Sequence, residues 1–335
     1  MSLRVGVIGT GAIGRVHIER ITNRLTGAAI VAVNDVSRSL AEKAVQDFGI
    51  NAEVFTSGVD LIRSDSVDAV IVASWGPTHE EFVLAAIAAG KPVFCEKPLA
   101  VTAGGCKAIV EAEMAAGRKL VQVGFMRRYD LAYRQLKDVI VNNRIGAPLT
   151  LNCAHRAPAA PGFAGDMAIT DSCVHEFDVL RWLLADDYVS AQVILPRKTS
   201  LCDEQLQDPH VIQLRTRSGV HISIESFVNA QYGYDIRCQV TGETGIAHLA
   251  QPISVTLQTA ATEQSAIIVD WQERFVDAFD REFQCWINDT LKGEMNGPSA
   301  WDGYVVAVTA DACVKAKYSG LIEAISLPET PAFYA

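Results

Sequence analysis

The chain has 335 residues, enough for roughly two domains, and its formal net charge of −10 argues against a nucleic-acid surface, which needs clustered Lys and Arg. Hydrophobic residues make up 49% of it and charged residues 20%, an ordinary globular balance, and no stretch approaches the apolar length of a membrane span. Eight scattered cysteines without a Cys-x-x-Cys pair favour reduced cytoplasmic thiols over a disulfide framework, and no metal-ligand spacing is visible.

The run Leu3 to Ile8 reads as a strand, not as a signal peptide, because Gly-rich sequence follows it instead of a small-residue cleavage site. A helix is expected over 12–25, a strand over Ala29 to Val33 and a helix over 37–48. Asp68 to Ala73 is a buried-type strand, followed by an Ala-rich helix over 79–90. Pro92 to Cys95 and Lys119 to Val123 are strands flanking a helix over 102–117. Continuous apolar strands alternating with helices indicate a parallel sheet covered on both faces.

After residue 125 the rhythm changes. A helix is expected over 130–143, and from 147 to 269 the pattern is mostly strands of alternating polarity. Val211 to Arg217, Val220 to Phe227 and Tyr234 to Thr241 are examples, with turns at Gly219, Gly242 and Gly245. One helix, 169–184, interrupts them, and helices over 271–292 and 299–318 close the chain. The fold class expected is α/β plus α+β, with an N-terminal Rossmann domain over 1–124 and a second domain over 125–335 built on a mostly antiparallel sheet.

Gly9-Thr10-Gly11-Ala12-Ile13-Gly14 lies between the first strand and the first helix. In such a loop the first glycine permits the tight turn, the second lets the backbone approach a pyrophosphate, and the third allows close helix–strand packing. The helix N-terminus then offers free N–H groups to the phosphates. Asp35, twenty-one residues after Gly14, ends the second strand. Its carboxylate suits ribose hydroxyls and repels a 2′-phosphate, so NAD is expected over NADP, with Arg38 the one residue able to soften that preference.

Lys97 follows the strand Val93-Phe94-Cys95 within Glu96-Lys97-Pro98, where ligands of an open parallel sheet bind. Pro98 restricts it to an extended conformation. The alternative for Lys97 is a solvated surface charge. Asp171 and His175 lie one turn apart on the helix 169–184, a spacing that suits a histidine base oriented by a carboxylate, with Asp178 a further three residues on. The alternative for that pair is a surface ion pair or a helix cap. Trp75 suits packing beside a cofactor, and Thr78 suits the cap of the helix that His79 begins. Arg127, Arg128, His155, Arg156 and Tyr232-Gly233-Tyr234-Asp235 offer polar donors, for which structural roles remain equally open. His17, His210, His221 and His248 read as structural.

Together the glycine loop, Asp35, Glu96-Lys97-Pro98 and Asp171-x-x-x-His175 resemble the Gfo/Idh/MocA oxidoreductases. Ser74-Trp75-Gly76-Pro77, Val93 to Leu99, Leu120 to Tyr129, Cys153-Ala154-His155-Arg156, Tyr232 to Asp235 and Trp301-Asp302-Gly303-Tyr304 extend the resemblance along the chain, within that family to members acting on inositol. It implies a large, mostly antiparallel open sheet used for substrate binding and for assembly as a homotetramer. It implies Lys97, Asp171 and His175 as the catalytic group, with Arg127, His155 and Tyr234 completing the substrate site. Ser74, Trp75, His79, Glu96 and Lys97 join the loop and Asp35 at NAD, and the Lys97–Pro98 bond is expected to be cis. The implied reaction is NAD-dependent oxidation of myo-inositol to 2-keto-myo-inositol. Related polyols or aldoses are the alternative, and a non-catalytic NAD sensor is disfavoured by the presence of Lys97 and His175. One departure stands out: Ala157 occupies a position where the inositol-oxidising members carry Asn.

Overall fold

The computed structural model describes residues 2–252 and 254–335. They form two compact units. One comprises residues up to Met126 with Phe279–Ala307 and Pro328–Ala335, and the other comprises Arg127–Ala278 and Val308–Leu327.

The first unit contains β1 (Leu3–Ile8), α1 (Ala12–Asn23), β2 (Ala28–Asn34), α2 (Arg38–Phe48), β3 (Glu53–Phe55), α3 (Gly58–Arg63), β4 (Ala69–Val72), α4 (His79–Ala88), β5 (Val93–Cys95), α5 (Ala103–Ala116) and β6 (Val121–Val123). Its strands run in the order β3-β2-β1-β4-β5-β6 and pair in parallel throughout, the dinucleotide-binding order. Every residue of β4 is fully buried, which is why the central strands read as unbroken apolar runs. The sequence pattern missed β3 and α3. β3 is a three-residue edge strand that begins on an exposed Glu53, too short and too polar to register as an apolar run. α3 is six residues long, and its one signal is its cap, Ser57 Oγ accepting from Asp60 N at 3.2 Å.

The second unit contains α6 (Leu131–Val141), β7 (Pro148–Arg156), α7 (Val174–Leu184), β8 (Tyr188–Ile194), β9 (His210–Thr216), β10 (His221–Phe227), β11 (Asp235–Gly242), β12 (Ile246–His248) and the hairpin β13 (Thr256–Thr259) and β14 (Thr262–Ser265). The long helices α8 (Trp271–Lys292) and α9 (Ala300–Ser319) and the short β15 (Glu323–Ala324) close the chain. The seven-stranded sheet has the order β12-β11-β7-β10-β9-β8-β15. It is antiparallel except where β7 runs parallel to β10. Along β10 the buried Ile222, Ile224 and Ser226 alternate with more exposed neighbours, the signature of a sheet covered on one face.

α8 is kinked at Phe275, whose φ of −120° and ψ of 16° leave the helical region. Phe283, Trp286 and Ile287 are fully buried in the same cluster as Val5, Val7, Ile18 and Phe94 of the Rossmann elements. Residues 279–307 and 328–335 thus pack with the first unit, although the division at 124/125 assigns them to the second. Their helical spacing reveals an apolar stripe but not which core that stripe will cover.

The helix expected over 169–184 is two pieces. A π-helical turn spans Ala168–Ser172, closed by Cys173 N donating to the Ala168 carbonyl at 3.2 Å, and α7 follows it. The Thr170 hydroxyl bonds back to the Asp166 carbonyl at 3.3 Å. A single widened turn leaves the apolar period nearly unchanged, so the pattern could not show it.

His210, at the start of β9, is fully buried, and neither ring nitrogen has a hydrogen-bond partner among the described residues. Burial, then the Lys317 charge, push its pKa down to about 4 against a weaker opposing pull from Asp166. The folded chain therefore keeps this ring neutral, whereas the unfolded chain protonates it below about 6.5. Stability from this group is present above pH 6.5 and is lost as pH falls towards 4, by up to about 3 kcal/mol. Thermal unfolding followed from pH 7 to pH 4 is expected to show a steeper loss in the native chain than in His210→Leu. Identical pH slopes would remove His210 from this role.

Candidate active site

The glycine loop leaves β1 and enters α1, which has Gly11 at its cap. Gly9 has φ +94°, and a Cβ there would lie 2.5 Å from the Ala73 carbonyl oxygen; one at Gly14 would collide with the Gly9 carbonyl. Both glycines are thus required by the fold itself. Gly11 is different. Its φ is −70°, and a Cβ there would meet nothing within 4 Å. The protein does not need glycine at that position, so the open approach to its backbone fits a ligand, and pyrophosphate at a helix N-terminus is the group such a cradle suits. Thr10 and the half-buried Asp35 complete the loop: Asp35 Oδ2 accepts from Thr10 N at 2.7 Å and from its hydroxyl at 3.0 Å, and Oδ1 accepts from Ser37 N at 2.9 Å. Oδ1 keeps a lone pair for a ribose hydroxyl. Arg38 faces away to Glu42, 2.7 Å, in an exposed pair. Val36, which sequence reasoning passed over, is fully exposed beside Asp35 and offers an apolar surface for a base.

At the far end of β5, Glu96 is buried and accepts from His17 Nε2 at 2.7 Å and from Lys97 N at 3.2 Å. His17 Nδ1 lies 2.9 Å from Arg20, and Arg20 Nε lies 2.6 Å from Asp280. Burial lowers the pKa of His17. Burial raises that of Glu96 most strongly of any one cause, but the hydrogen bonds from His17 and Lys97 N and the nearby Lys97 charge together outweigh it, and the net shift is down. Guanidinium can only donate, so His17 Nδ1 accepts and Nε2–H donates to a Glu96 carboxylate. Glu96 is thus committed to the backbone that carries Lys97, and the Lys97–Pro98 bond is cis. His79 is buried, with Nδ1 2.7 Å from the Pro98 carbonyl and Nε2 3.0 Å from the Ser74 carbonyl. It braces the turn after β4 against the turn after β5. The Ser74 hydroxyl meets Thr78 at 2.7 Å, and Trp75 is largely exposed.

In the second unit Asp171 lies in the π-helical turn and His175 in the first turn of α7, both half-buried. His155, at the end of β7, is buried, with Nδ1 2.8 Å from Glu176 Oε2 and Nε2 3.4 Å from the Ser172 hydroxyl. Arg127 is buried against Glu176 and lies 3.4 Å from His155 Nδ1. Tyr234 meets the His155 ring edge-on at 5.8 Å. The structure thus brings Arg127, His155 and Tyr234 together, and it adds Glu176, which sequence reasoning missed. A signal existed: Glu176 shares a helix face with Leu180 and Leu183, an acid where an apolar residue is expected.

Several offered donors serve the fold instead. Asp178 receives Arg128 through both oxygens, 2.9 Å at Oδ2. Arg156 grips Glu225 at 2.7 and 2.8 Å and Asp235 at 3.0 Å, while the Tyr232 hydroxyl donates to Asp235 at 2.6 Å. None of the eight cysteines lies in a disulfide. Among the described residues no cluster of His, Cys, Asp or Glu could hold a metal ion, and no helix is long and apolar enough to cross a membrane.

A model of an oxidoreductase family with an NAD-binding Rossmann fold matches residues 3–125, and the model of its C-terminal alpha/beta domain matches residues 137–321. An inositol 2-dehydrogenase from Serratia proteamaculans is 58% identical over all of this chain and 99% of its own length. One from Azotobacter vinelandii is 59% identical over the same shares. The crystal structure of a myo-inositol dehydrogenase from Lactobacillus casei, in complex with NAD(H) and myo-inositol, superposes with a TM-score of 0.98 at 43% identity, covering both chains fully. A scyllo-inositol dehydrogenase from the same species, at 23% identity and a TM-score of 0.90, shares the fold alone.

Proposed function

The chain belongs to the Gfo/Idh/MocA oxidoreductase family, and on that premise we propose that it catalyses the NAD-dependent oxidation of myo-inositol to 2-keto-myo-inositol. The observation that carries this reading is identity near 58% over the full length to inositol 2-dehydrogenases. The glycine loop with its open Gly11 supports NAD as the cofactor.

In this reading His175 accepts the proton of the reacting hydroxyl, as an imidazole suits near neutral pH. Asp171 orients the ring and balances the charge it gains. The Lys97 ammonium stabilises the negative charge that develops on the substrate oxygen. When bound, NAD supplies the carbon that accepts the hydride. The loop Gly9 to Gly14 holds the pyrophosphate on the α1 N-terminus, and Asp35 receives the ribose hydroxyls. Ser74 and Trp75 flank the cofactor, while Glu96 and His79 act on it through the backbone they brace. Arg127, His155 and Tyr234 bind hydroxyls of the polyol.

Ala157 motivates a second reading. It is tied in place by Ala157 N donating to the Phe227 carbonyl at 3.0 Å and by its carbonyl accepting from Ala230 N at 2.8 Å, so it offers a methyl where related enzymes offer an amide. A missing amide moves the preference among inositol isomers. A panel of myo-, scyllo- and chiro-inositol, glucose and xylose with NAD and NADP, read by NADH or NADPH absorbance, tests both readings. The highest kcat/KM is expected for myo-inositol with NAD. A better isomer, an aldose or a preference for NADP would overturn the assignment.

The proposal includes a cytoplasmic homotetramer. Eight cysteines outside any disulfide support the compartment, and the exposed Leu149, Val189, Ile194 and Ile246 on strands of the large sheet support assembly. Light scattering is expected to give four times the chain mass of 36.2 kDa, and a monomer mass would refute assembly.

A further inference from the structure

We propose that Glu176 is a positioning residue for polyol binding: it holds His155 in the Nδ1–H form and anchors Arg127, keeping His155 Nε2 as a hydrogen-bond acceptor for a substrate hydroxyl. The inference rests on the reading of His155 as a substrate-binding group.

The geometry carries it. Glu176 and Arg127 are both nearly inaccessible, with side-chain exposures of 2% and 1%, and they form an ion pair. His155 is 5% exposed and closes the group. Burial pushes the Glu176 carboxyl up, yet the Arg127 charge and the hydrogen bonds from His155 and Arg127 together hold its pKa at about 2. Glu176 is therefore a carboxylate, which can only accept. Its Oε2 is 2.8 Å from His155 Nδ1, and the Arg127 NH2 group, which can only donate, is farther from that nitrogen at 3.4 Å. The nearer acceptor dictates that Nδ1 carries the hydrogen, and a neutral ring then has its lone pair on Nε2. Ser172 Oγ, 3.4 Å from Nε2, makes only a long contact there, which leaves that lone pair to a closer substrate hydroxyl. Tyr234, edge-on to the ring, and Phe275, whose ring lies 5.5 Å from the Arg127 guanidinium and 6.2 Å from the Tyr234 ring, wall the group. A ring gripped at Nδ1 by a neighbouring carboxylate is the arrangement by which supporting residues fix a ligand-binding imidazole.

A glutamine at this position keeps the shape but cannot accept from His155 and Arg127 together without turning its NH2 group towards one of them. The test compares the native enzyme with Glu176→Gln and Glu176→Asp by NMR of the histidine ring nitrogens in isotope-labelled protein and by steady-state kinetics, with the His155 signals assigned by their loss in His155→Gln. The native ring is expected to be protonated at Nδ1 and bare at Nε2. Glu176→Gln is expected to shift it towards Nε2–H and to raise KM for myo-inositol at least about tenfold, with a smaller fall in kcat and an unchanged KM for NAD. Glu176→Asp, which keeps the carboxylate, should recover part of both, and it carries the comparison alone if the Gln variant does not fold. A native tautomer and native KM in Glu176→Gln would overturn the proposal. A switched tautomer with an unchanged polyol KM would instead overturn the reading of His155 as a substrate group, so the two failures are told apart.

Discussion

Replacing His175 by Ala is expected to lower kcat for myo-inositol oxidation by about two to four orders of magnitude while leaving NAD affinity unchanged. The ring is the one group on the first turn of α7 suited to take a hydroxyl proton near neutral pH, and Asp171 precedes it by four residues in the π-helical turn. The glycine loop and Asp35 belong to the other compact unit, so the variant should keep its cofactor grip. Turnover measured by NADH formation, alongside a fluorescence titration with NAD, separates the two effects. A kcat within about threefold of native would take the role of base away from His175.

The second large effect is expected at Lys97. Its ammonium is assigned to the oxygen on which negative charge builds as the proton and hydride leave, and losing one such donor costs about two to three orders of magnitude in kcat. Lys97→Ala should show that loss, and Lys97→Arg should restore little of it. A planar guanidinium places its donors differently from a compact ammonium. Single-turnover measurement with saturating NAD reads the chemical step directly. If the arginine variant turned over at the native rate, a loosely placed positive charge would suffice and the ammonium would lose this role.

Much of the first unit is legible in the sequence because its signals are local. The loop Gly9 to Gly14 stands between an apolar run and a helical period, and Asp35 ends the next strand, so motif and context lie within some forty residues. What could not be read there was the reason for each glycine. The structure separates Gly9 and Gly14, which their own backbone demands, from Gly11, whose space is open.

The second unit was less legible because its groups meet only after folding. Residues 127, 155, 176 and 234 are far apart in the chain, and no spacing rule links them. The family resemblance brought Arg127, His155 and Tyr234 together, whereas Glu176 had to be found as a buried acid on an apolar helix face. For the same reason no spacing rule links Asp178 to Arg128, which lies fifty residues earlier and donates to it. The parallel pairing of β7 with β10 and the placement of residues 279–307 likewise depend on contacts that periodicity does not encode.

In the proposed reaction, hydride leaves carbon 2 of myo-inositol for NAD. Incubating the enzyme with NAD and myo-inositol deuterated only at carbon 2, then weighing the reduced cofactor by mass spectrometry, tests it directly. The deuterium is expected to appear in NADH, and kcat/KM to fall relative to unlabelled substrate. Unlabelled NADH formed at the normal rate, with deuterium retained in the product, would contradict it.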